Sequence, residues 1–197
     1  MKILVIGGAG FIGQHLCRAL ITEGFFVRVL DNFNPQIHSS NTLPLDLINN
    51  VELIRGDIRD KDVMLKALDS VEVIVHLAAE TGTGQSMYEI NKYFSVNVQG
   101  TANLLDILQN DLPANRLRTI VLASSRAIYG EGAYKCIDHG VVFPDSRAQE
   151  RMLAGNFDPV CPFCASSLAV VGTPESAPFK PMSIYGLTWS NHKLTLV

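Results

Sequence analysis

Three glycines near the N-terminus have the spacing of a loop that holds phosphate groups. Gly7, Gly10 and Gly13 lie between a short apolar run and the first helical pattern. Glycine lets the backbone approach a pyrophosphate, and the start of the following helix supplies N–H donors and a positive dipole end. Asp31 follows 18 residues after Gly13, where a carboxylate can accept both ribose hydroxyls of an adenosine and repel a 2′-phosphate. We therefore expect NAD, rather than NADP, to bind; the alternative is a glycine turn that serves only helix–strand packing.

Three cysteines and a histidine form a second constellation in the last third of the chain. Two residues separate Cys136 from His139, and two residues separate Cys161 from Cys164. This spacing lets two ligands converge from one tight turn, and two such turns complete a tetrahedral zinc site. Zinc held by four protein ligands would be structural, because no position is left for water. The alternative is unliganded thiols beside a surface histidine, and we expect the isolated Cys17 to be a core residue.

The elements that position these residues alternate between apolar runs and helical patterns. Strands are predicted at Lys2–Ile6, Phe26–Leu30, Val51–Ile54, Val71–Leu77 and Thr119–Ala123, and helices at Phe11–Gly24, Asp60–Asp69 and Tyr88–Gln109. Short strands of nearly continuous Val, Ile and Leu are typical of a parallel sheet that is covered on both faces. The pattern predicts an α/β fold with a Rossmann-type, doubly wound parallel sheet.

The regular alternation stops near Gly132. We expect one dinucleotide-binding domain over residues 1–197, interrupted by a Cys/His insert over residues 133–173. About 40 polar, proline-bearing residues could scarcely fold on a core of their own. A bound metal would supply the missing stability, so we expect a zinc-ribbon-like module.

Composition and charge exclude several classes of protein. The formal net charge is −3 and there is no block of Lys and Arg, which argues against a nucleic-acid or membrane-surface protein. No apolar run approaches the ~18 residues of a membrane span. The N-terminal apolar stretch is too short for a signal peptide and runs directly into the glycine loop. We expect a globular, cytoplasmic protein with neither nucleic acid nor membrane as a partner.

Further motifs occur in a fixed order along the chain. They are Gly7–Gly13, Asp31–Phe33, Gly56–Asp60, His76–Ala79, Asn97–Thr101, Ser124–Gly130 and Pro181–Gly186. Together they resemble the extended branch of the short-chain dehydrogenase/reductase superfamily, the NAD-dependent epimerases and dehydratases of nucleotide-sugars. With Tyr129–Gly132 and the cysteine motifs, the chain is most similar to dTDP-L-rhamnose 4-epimerases. The resemblance implies inversion at the sugar 4-position through a 4-keto intermediate.

The resemblance also implies a role for particular residues. It makes Tyr185 the catalytic phenol, and it makes Ser125 the hydroxyl that orients the sugar. The implied NAD-binding set is Gly7, Gly10, Phe11, Ile12, Gly13, Asp31, Asn32, Asp57, Ile58, Leu77, Ala78, Ala79, Asn97 and Tyr185. The implied substrate contacts are Ser124, Ser125 and Thr81. A homodimer is implied as well.

The chain departs from the family at position 189. The family carries a lysine four residues after the tyrosine, where it stabilises the phenolate, and this sequence has Trp189. Lys193 stands two helical turns beyond Tyr185, about 12 Å along the axis, and is too distant to replace that lysine. Members of the family also continue for well over a hundred residues past this point. We therefore expect a chain truncated after the Tyr185 motif, lacking the C-terminal substrate domain, with weak or absent turnover.

Two alternatives stay open at this point. One is a non-catalytic, NAD-binding remnant of such an enzyme, which Trp189 favours. The other is a nucleotide-sugar dehydratase or reductase. Arg126 and Ala127 follow Ser125, where dehydratases typically carry Asp and Glu, and this disfavours dehydration.

Overall fold

The structure is a computed structural model that describes residues 1–112 and 117–194, with side chains described through residue 190 in the last helix. The described residues form two compact units. The first unit comprises Met1–Thr81 and Glu89–Ala123. The second unit comprises Gly82–Tyr88 and the chain from Ser124 onward.

A five-stranded parallel sheet forms the centre of the first unit. Its strands are β1 (Lys2–Ile6), β2 (Phe26–Asp31), β3 (Glu52–Arg55), β4 (Val73–His76) and β5 (Thr119–Leu122). They lie in the order β3-β2-β1-β4-β5, and every neighbouring pair is parallel. The five predicted strands are confirmed, with ends that differ by at most two residues. In this order the crossovers leave β1 in opposite directions, which places the ligand crevice at the carboxyl ends of β1 and its neighbours.

Helices cover both faces of the sheet, as predicted. The α-helices are α1 (Phe11–Thr22), α2 (Leu45–Ile48), α3 (Lys61–Leu68), α4 (Thr83–Ser86), α5 (Ile90–Tyr93), α6 (Gly100–Asn110), α7 (Gln149–Leu153) and α8 (Ile184–Leu194). On one face Leu4 and Ile6 pack with the apolar residues of α3 and α6. On the other face Ile3 and Val5 pack with Cys17 of α1 and the α2 segment. Alternate residues of β1 are therefore buried on opposite faces, and the prediction that Cys17 is a core residue is confirmed.

The predicted helix Tyr88–Gln109 is wrong in its start and in its regularity. It begins at Ile90, and a π-helical segment, Phe94–Gln99, separates α5 from α6. A π-helical turn inserts an extra residue per turn and often marks a functional site. Here the segment carries Asn97, whose side chain is fully buried.

The second unit contains a small antiparallel sheet. Its strands are β6 (Tyr134–Cys136), β7 (Gly140–Val142) and β8 (Ala169–Val170), in the order β7-β6-β8. A 3-10 helical turn, Arg126–Tyr129, precedes this sheet. The Ala133 N–H donates to the Thr173 hydroxyl oxygen at 2.9 Å, so both ends of the segment 133–173 meet. In the part of the chain that the structure describes, no helix has the length and apolar character to cross a membrane.

Candidate functional site

The glycine loop is fixed by close backbone approaches. Gly7 has a φ of +80° and its N–H donates to the Leu30 carbonyl at 2.8 Å. A Cβ on Gly7 would lie 2.6 Å from the Ala78 nitrogen, and a Cβ on Gly13 would lie 2.6 Å from the Gly8 Cα. Only glycine fits these two positions, because a larger residue would push the loop away from the sheet.

The N-terminus of α1 points its N–H groups into the loop. No side chain caps this helix at Gly10. Phe11 and Ile12, in the first turn, are 81% and 66% exposed, so both sequence-predicted residues border solvent. The first-turn N–H groups and the helix dipole can therefore bind a phosphate.

Asp31 ends β2 with its carboxylate held beside this loop. One oxygen accepts the Ala9 N–H at 3.0 Å, and the other accepts the Phe33 N–H at 2.9 Å. His38 Nε2 lies 3.3 Å from the second oxygen, and the Asp31 side chain is 6% exposed. The oxygen that accepts the Ala9 N–H has a second lone pair, so the group can still accept a ribose hydroxyl there. No sequence pattern predicted a role for His38, which lies in an irregular loop.

A second carboxylate, Asp57, follows β3. Its oxygens accept from the Arg59 backbone N–H and guanidinium at 2.8–2.9 Å and from the Asn32 amide at 3.2 Å. The Arg59 guanidinium lowers the pKa of Asp57 to about 2. Asp57 is therefore fully ionised at neutral pH, and these four bonds occupy the lone pairs of its two oxygens. The neighbouring Ile58 is 5% exposed and belongs to the core.

The segment after β4 is clamped by the π-helical turn. The Glu80 N–H donates to the Asn97 Oδ1 at 2.8 Å, and the Asn97 Nδ2 donates to the Glu80 carbonyl at 3.2 Å. The predicted residues Leu77, Ala78 and Ala79 lie just before this clamp. The exposed Thr81 accepts the Tyr93 hydroxyl through its carbonyl at 2.6 Å. Asn97 thus fixes the loop that begins at the carboxyl end of β4.

A cavity of about 610 Å³ opens beside the glycine loop. One side is formed by Ala9, Gly10 and Phe11, and the other by the loop between β2 and α2. His15 and His38 both line it. The cavity borders the phosphate loop, but Asp31 and Asp57 are not among its lining residues.

In the second unit, the Ser125 turn and the start of α8 pack together. Ser125 Oγ accepts the Ala127 N–H at 3.2 Å and so caps the 3-10 turn, while Ser124 is exposed. A Cβ on Gly186 would lie 2.6 Å from the Ala127 carbonyl oxygen. The structure therefore brings the segments of Ser125 and Tyr185 into contact.

A buried serine fixes the backbone of Tyr185. The Tyr185 N–H donates to the Ser86 Oγ at 3.0 Å, and the Ser86 hydroxyl donates to the Thr83 carbonyl at 2.6 Å. Ser86 is fully buried. This contact joins α4 to the first turn of α8, and the sequence analysis missed it because 99 residues separate the partners.

Trp189 occupies the place one turn after Tyr185. The two ring centroids are 5.9 Å apart in an edge-to-face arrangement of 81°, and Trp189 is 5% exposed. An apolar ring thus lies beside the phenol where the resemblance predicts an ammonium group. The side chains of His192 and Lys193 lie outside the described residues.

The four predicted metal ligands converge. Cys136, His139, Cys161 and Cys164 each offer one ligand atom, and these atoms all lie within 4.8 Å of one another. The Cys136 and Cys164 Sγ atoms are 3.7 Å apart, and His139 Nδ1 lies 3.5 Å from the Cys136 Sγ and 3.7 Å from the Cys161 Sγ. Tetrahedral bonds of about 2.3 Å to sulfur and about 2.0 Å to nitrogen give edges of about 3.8 Å and about 3.5 Å. These three separations agree with the tetrahedral edges, and the Cys136 and Cys164 sulfur atoms are too far apart for a disulfide, in which they are about 2.05 Å apart.

The hydroxyl of Ser166 contacts two of the thiols. The hydroxyl of Ser166 lies 3.1 Å from the Cys164 Sγ and 3.5 Å from the Cys136 Sγ. Together with His139 it lowers the pKa of Cys136 to about 5, and it also lowers the pKa of Cys164. Burial raises the pKa of Cys161. Thiolates are the metal-binding form of cysteine, and Ser166 had no signal in the sequence.

The sheet order, the glycine loop and the carboxylate at the end of β2 define a dinucleotide-binding α/β protein. The model of the NAD dependent epimerase/dehydratase family matches residues 3–172. The chain therefore belongs to this family, and the sequence-based resemblance is confirmed.

Curated relatives agree with this assignment. A dTDP-L-rhamnose 4-epimerase from Burkholderia thailandensis is 38% identical over 191 residues, which are 95% of this chain and 50% of that protein. A bifunctional UDP-glucose and UDP-xylose 4-epimerase from Pisum sativum is 32% identical over 137 residues, 66% of this chain and 38% of that protein.

Solved structures share the fold. A UDP-glucose 4-epimerase from Brucella ovis in complex with NAD has a TM-score of 0.68 and 25% identity, covering 99% of this chain and 46% of that one. A UDP-glucose 4-epimerase from Thermotoga maritima with UDP-glucose has a TM-score of 0.67 and 25% identity, covering all of this chain and 50% of that one. The chain thus spans about half the length of the proteins it matches.

Proposed function

We propose that the chain is part of an NAD-dependent nucleotide-sugar epimerase that inverts the 4-position of a dTDP-hexose such as dTDP-L-rhamnose. The proposal rests on family membership and on the likeness to a dTDP-L-rhamnose 4-epimerase. The observation that carries it is the packing of the Ser125 turn against the Tyr185 helix in a chain with a dinucleotide-binding glycine loop.

NAD fits the residues of the first unit. The crowded glycines leave no room for side chains at the phosphate loop, and Asp31 holds a buried carboxylate for the ribose. The loop N–H groups would bind the pyrophosphate, Asp31 and Asn32 the ribose, and Asp57 and Ile58 the adenine. Leu77, Ala78, Ala79 and Asn97 complete the proposed set at the end of β4. When bound, NAD accepts a hydride from the sugar and returns it.

Tyr185 and Ser125 supply the proton chemistry. Tyr185, as the phenolate, would remove the proton of the sugar 4-hydroxyl, and the Ser125 hydroxyl would donate to the same oxygen and orient it. Ser124 and Thr81 contact the sugar. The 4-keto sugar then presents its other face, and Tyr185 returns the proton to the inverted alcohol.

Trp189 weakens this chemistry. A free phenol, with a pKa of about 10, is scarcely ionised at neutral pH, and a cation beside it favours the charged form. The Trp189 ring offers no positive charge to Tyr185. Impaired turnover is therefore part of the proposal, and an NAD-binding chain without turnover is the second candidate.

Incubation of dTDP-L-rhamnose with the full chain and NAD tests the proposal. We expect slow formation of the 4-epimer, detected by nuclear magnetic resonance, and its loss in Tyr185→Phe. The matched control is Tyr88→Phe, because Tyr88 is 87% exposed. An absence of epimer with NAD bound would contradict the epimerase and favour the second candidate.

We also propose that the chain binds a structural zinc ion. The support is the tetrahedral spacing of Cys136, His139, Cys161 and Cys164 and the hydrogen bonds of Ser166 to two of the sulfurs. Four protein ligands fill the coordination shell, so the metal stabilises the segment 133–173 and takes no part in the reaction.

Three further features complete the proposal. The domain assignment is one NAD-binding domain over 1–197 with the insert 133–173. A cytoplasmic location suits four cysteines that are all free, since thiols stay reduced there. A homodimer follows from the family resemblance, and light scattering of the purified chain measures it.

A further inference from the structure

Lys180 lies five residues before Tyr185, and its backbone is fixed to the turn that follows Ser125. Its N–H donates to the Ile128 carbonyl at 2.9 Å. Its own carbonyl lies so close to Gly130 that a Cβ there would collide with it, and Gly130 has a φ of +61°. The segment that leads into α8 is therefore packed directly on the 3-10 turn.

The Lys180 side chain reaches a third segment. Its Nζ donates to the Phe143 carbonyl at 2.9 Å and to the Asp145 Oδ1 at 2.8 Å. Phe143 is the first residue after β7. Lys180 thus connects three segments: the residues that precede Tyr185, the Ser125 turn and the end of the insert's hairpin.

The two contacts of the Lys180 ammonium contribute unequally to stability. The Asp145 side chain is 78% exposed, and ion pairs with so exposed a partner contribute little because water screens them. The Phe143 carbonyl is a fixed backbone acceptor, and a charged donor strengthens the bond to it. The hydrogen bond to the Phe143 carbonyl therefore fixes the Lys180 side chain, and the ion pair with Asp145 contributes only weakly to that contact.

We propose that Lys180 is a positioning residue, which couples the Cys/His insert to the segment that carries Tyr185. This rests on the proposed function, since it concerns the placement of Tyr185. The cluster of Cys136 and His139 closes the hairpin of β6 and β7. Because the Lys180 ammonium binds the end of this hairpin, an ordered hairpin limits the motion of the first turn of α8.

Trp189 provides the readout, because it is the single tryptophan of the chain and contacts the Tyr185 ring. Acrylamide quenching of its fluorescence is measured on the full chain as purified. Lys180→Met should raise the quenching constant at least about twofold, because a loosened helix start opens more often. Lys180→Arg, which can still donate to Phe143, should restore the wild-type value.

Lys135→Met is the matched control, since Lys135 is exposed on β6 of the same insert. Far-ultraviolet circular dichroism and metal content identify variants that have lost their fold, and Lys180→Ala, which likewise has no donor, then replaces Lys180→Met. A quenching constant equal to wild type in the folded Lys180 variant, or an equal rise in Lys135→Met, would overturn the proposal. Fluorescence needs no turnover, so a failure of the epimerase proposal shows separately, in the epimer assay.

Discussion

In the proposed reaction, the residue at position 189 determines how well Tyr185 would act as a base. The Trp189 ring lies edge-to-face against the Tyr185 ring, with centroids 5.9 Å apart, and offers no positive charge. Residues four apart on a helix share a face, so a lysine side chain at this position would reach the same phenol. Trp189 is thus one proposed cause of weak turnover that a single substitution can test.

Trp189→Lys should raise the rate of epimer formation by at least about tenfold, because a well-placed proton-transfer group contributes about 10²- to 10⁴-fold. The rate is measured with dTDP-L-rhamnose and saturating NAD. Trp189→Met removes the ring without adding a cation and is the control. Equal rates in the Lys and Met variants would show that charge at position 189 is not what limits the reaction.

Some residues of the candidate sites could be predicted from the sequence, and others could not. Cys136, His139, Cys161 and Cys164 were predicted because paired two-residue spacings are a local pattern, and their ligand atoms do converge. Ser166 and His38 had no such pattern. Their roles depend on distances to Cys164 and Asp31 that only the folded chain creates.

At the scale of elements, the insert depends on its Cys/His cluster. Its apolar core comprises only Cys136, Val142 and Cys161 with the half-buried Tyr134 and Leu168. Two of these core residues are proposed zinc ligands. So small a core stabilises little by burial alone, and the proposed zinc would contribute much of the folding free energy of the insert.

Elemental analysis should give one zinc per chain, and a strong chelator should make the segment 133–173 exchange its amide hydrogens at least about tenfold faster. The parallel sheet should keep its protection, because its two cores contain none of the ligands. Ser166→Ala should lose zinc at a lower chelator concentration than Ser167→Ala, since partners of metal ligands typically affect metal affinity by about 10- to 100-fold. A chain that purifies without zinc and protects this segment equally well would contradict the proposed metal.

The elements also show where sequence patterns fail. Continuous apolar runs predicted β1 to β5 closely, since burial on both faces demands that composition. The stretch Tyr88–Gln109 kept helical spacing, so nothing in it predicted the π-helical segment Phe94–Gln99. That segment is specified by a distant contact, in which the buried Asn97 amide binds both backbone groups of Glu80.

Across the molecule, the strand order β3-β2-β1-β4-β5 determines which residues surround the glycine loop. The loop binds phosphate only because β1 ends beside β2 and β4, which bring Asp31 and Ala78 next to it. Alternating strands and helices predicted a doubly wound parallel sheet, because parallel strands need crossover helices, but they did not predict the order of the strands. The distribution of residues between two compact units had no signal in the sequence.

NAD binding tests the central claim most directly. Titration calorimetry on the full chain should give one NAD per chain and binding of NADP at least about tenfold weaker, because Asp31 repels a 2′-phosphate. Asp31→Asn should reduce this preference, and Asp62→Ala, on the exposed first turn of α3, should preserve it. Failure to bind NAD, or equal affinity for the two dinucleotides, would contradict the account.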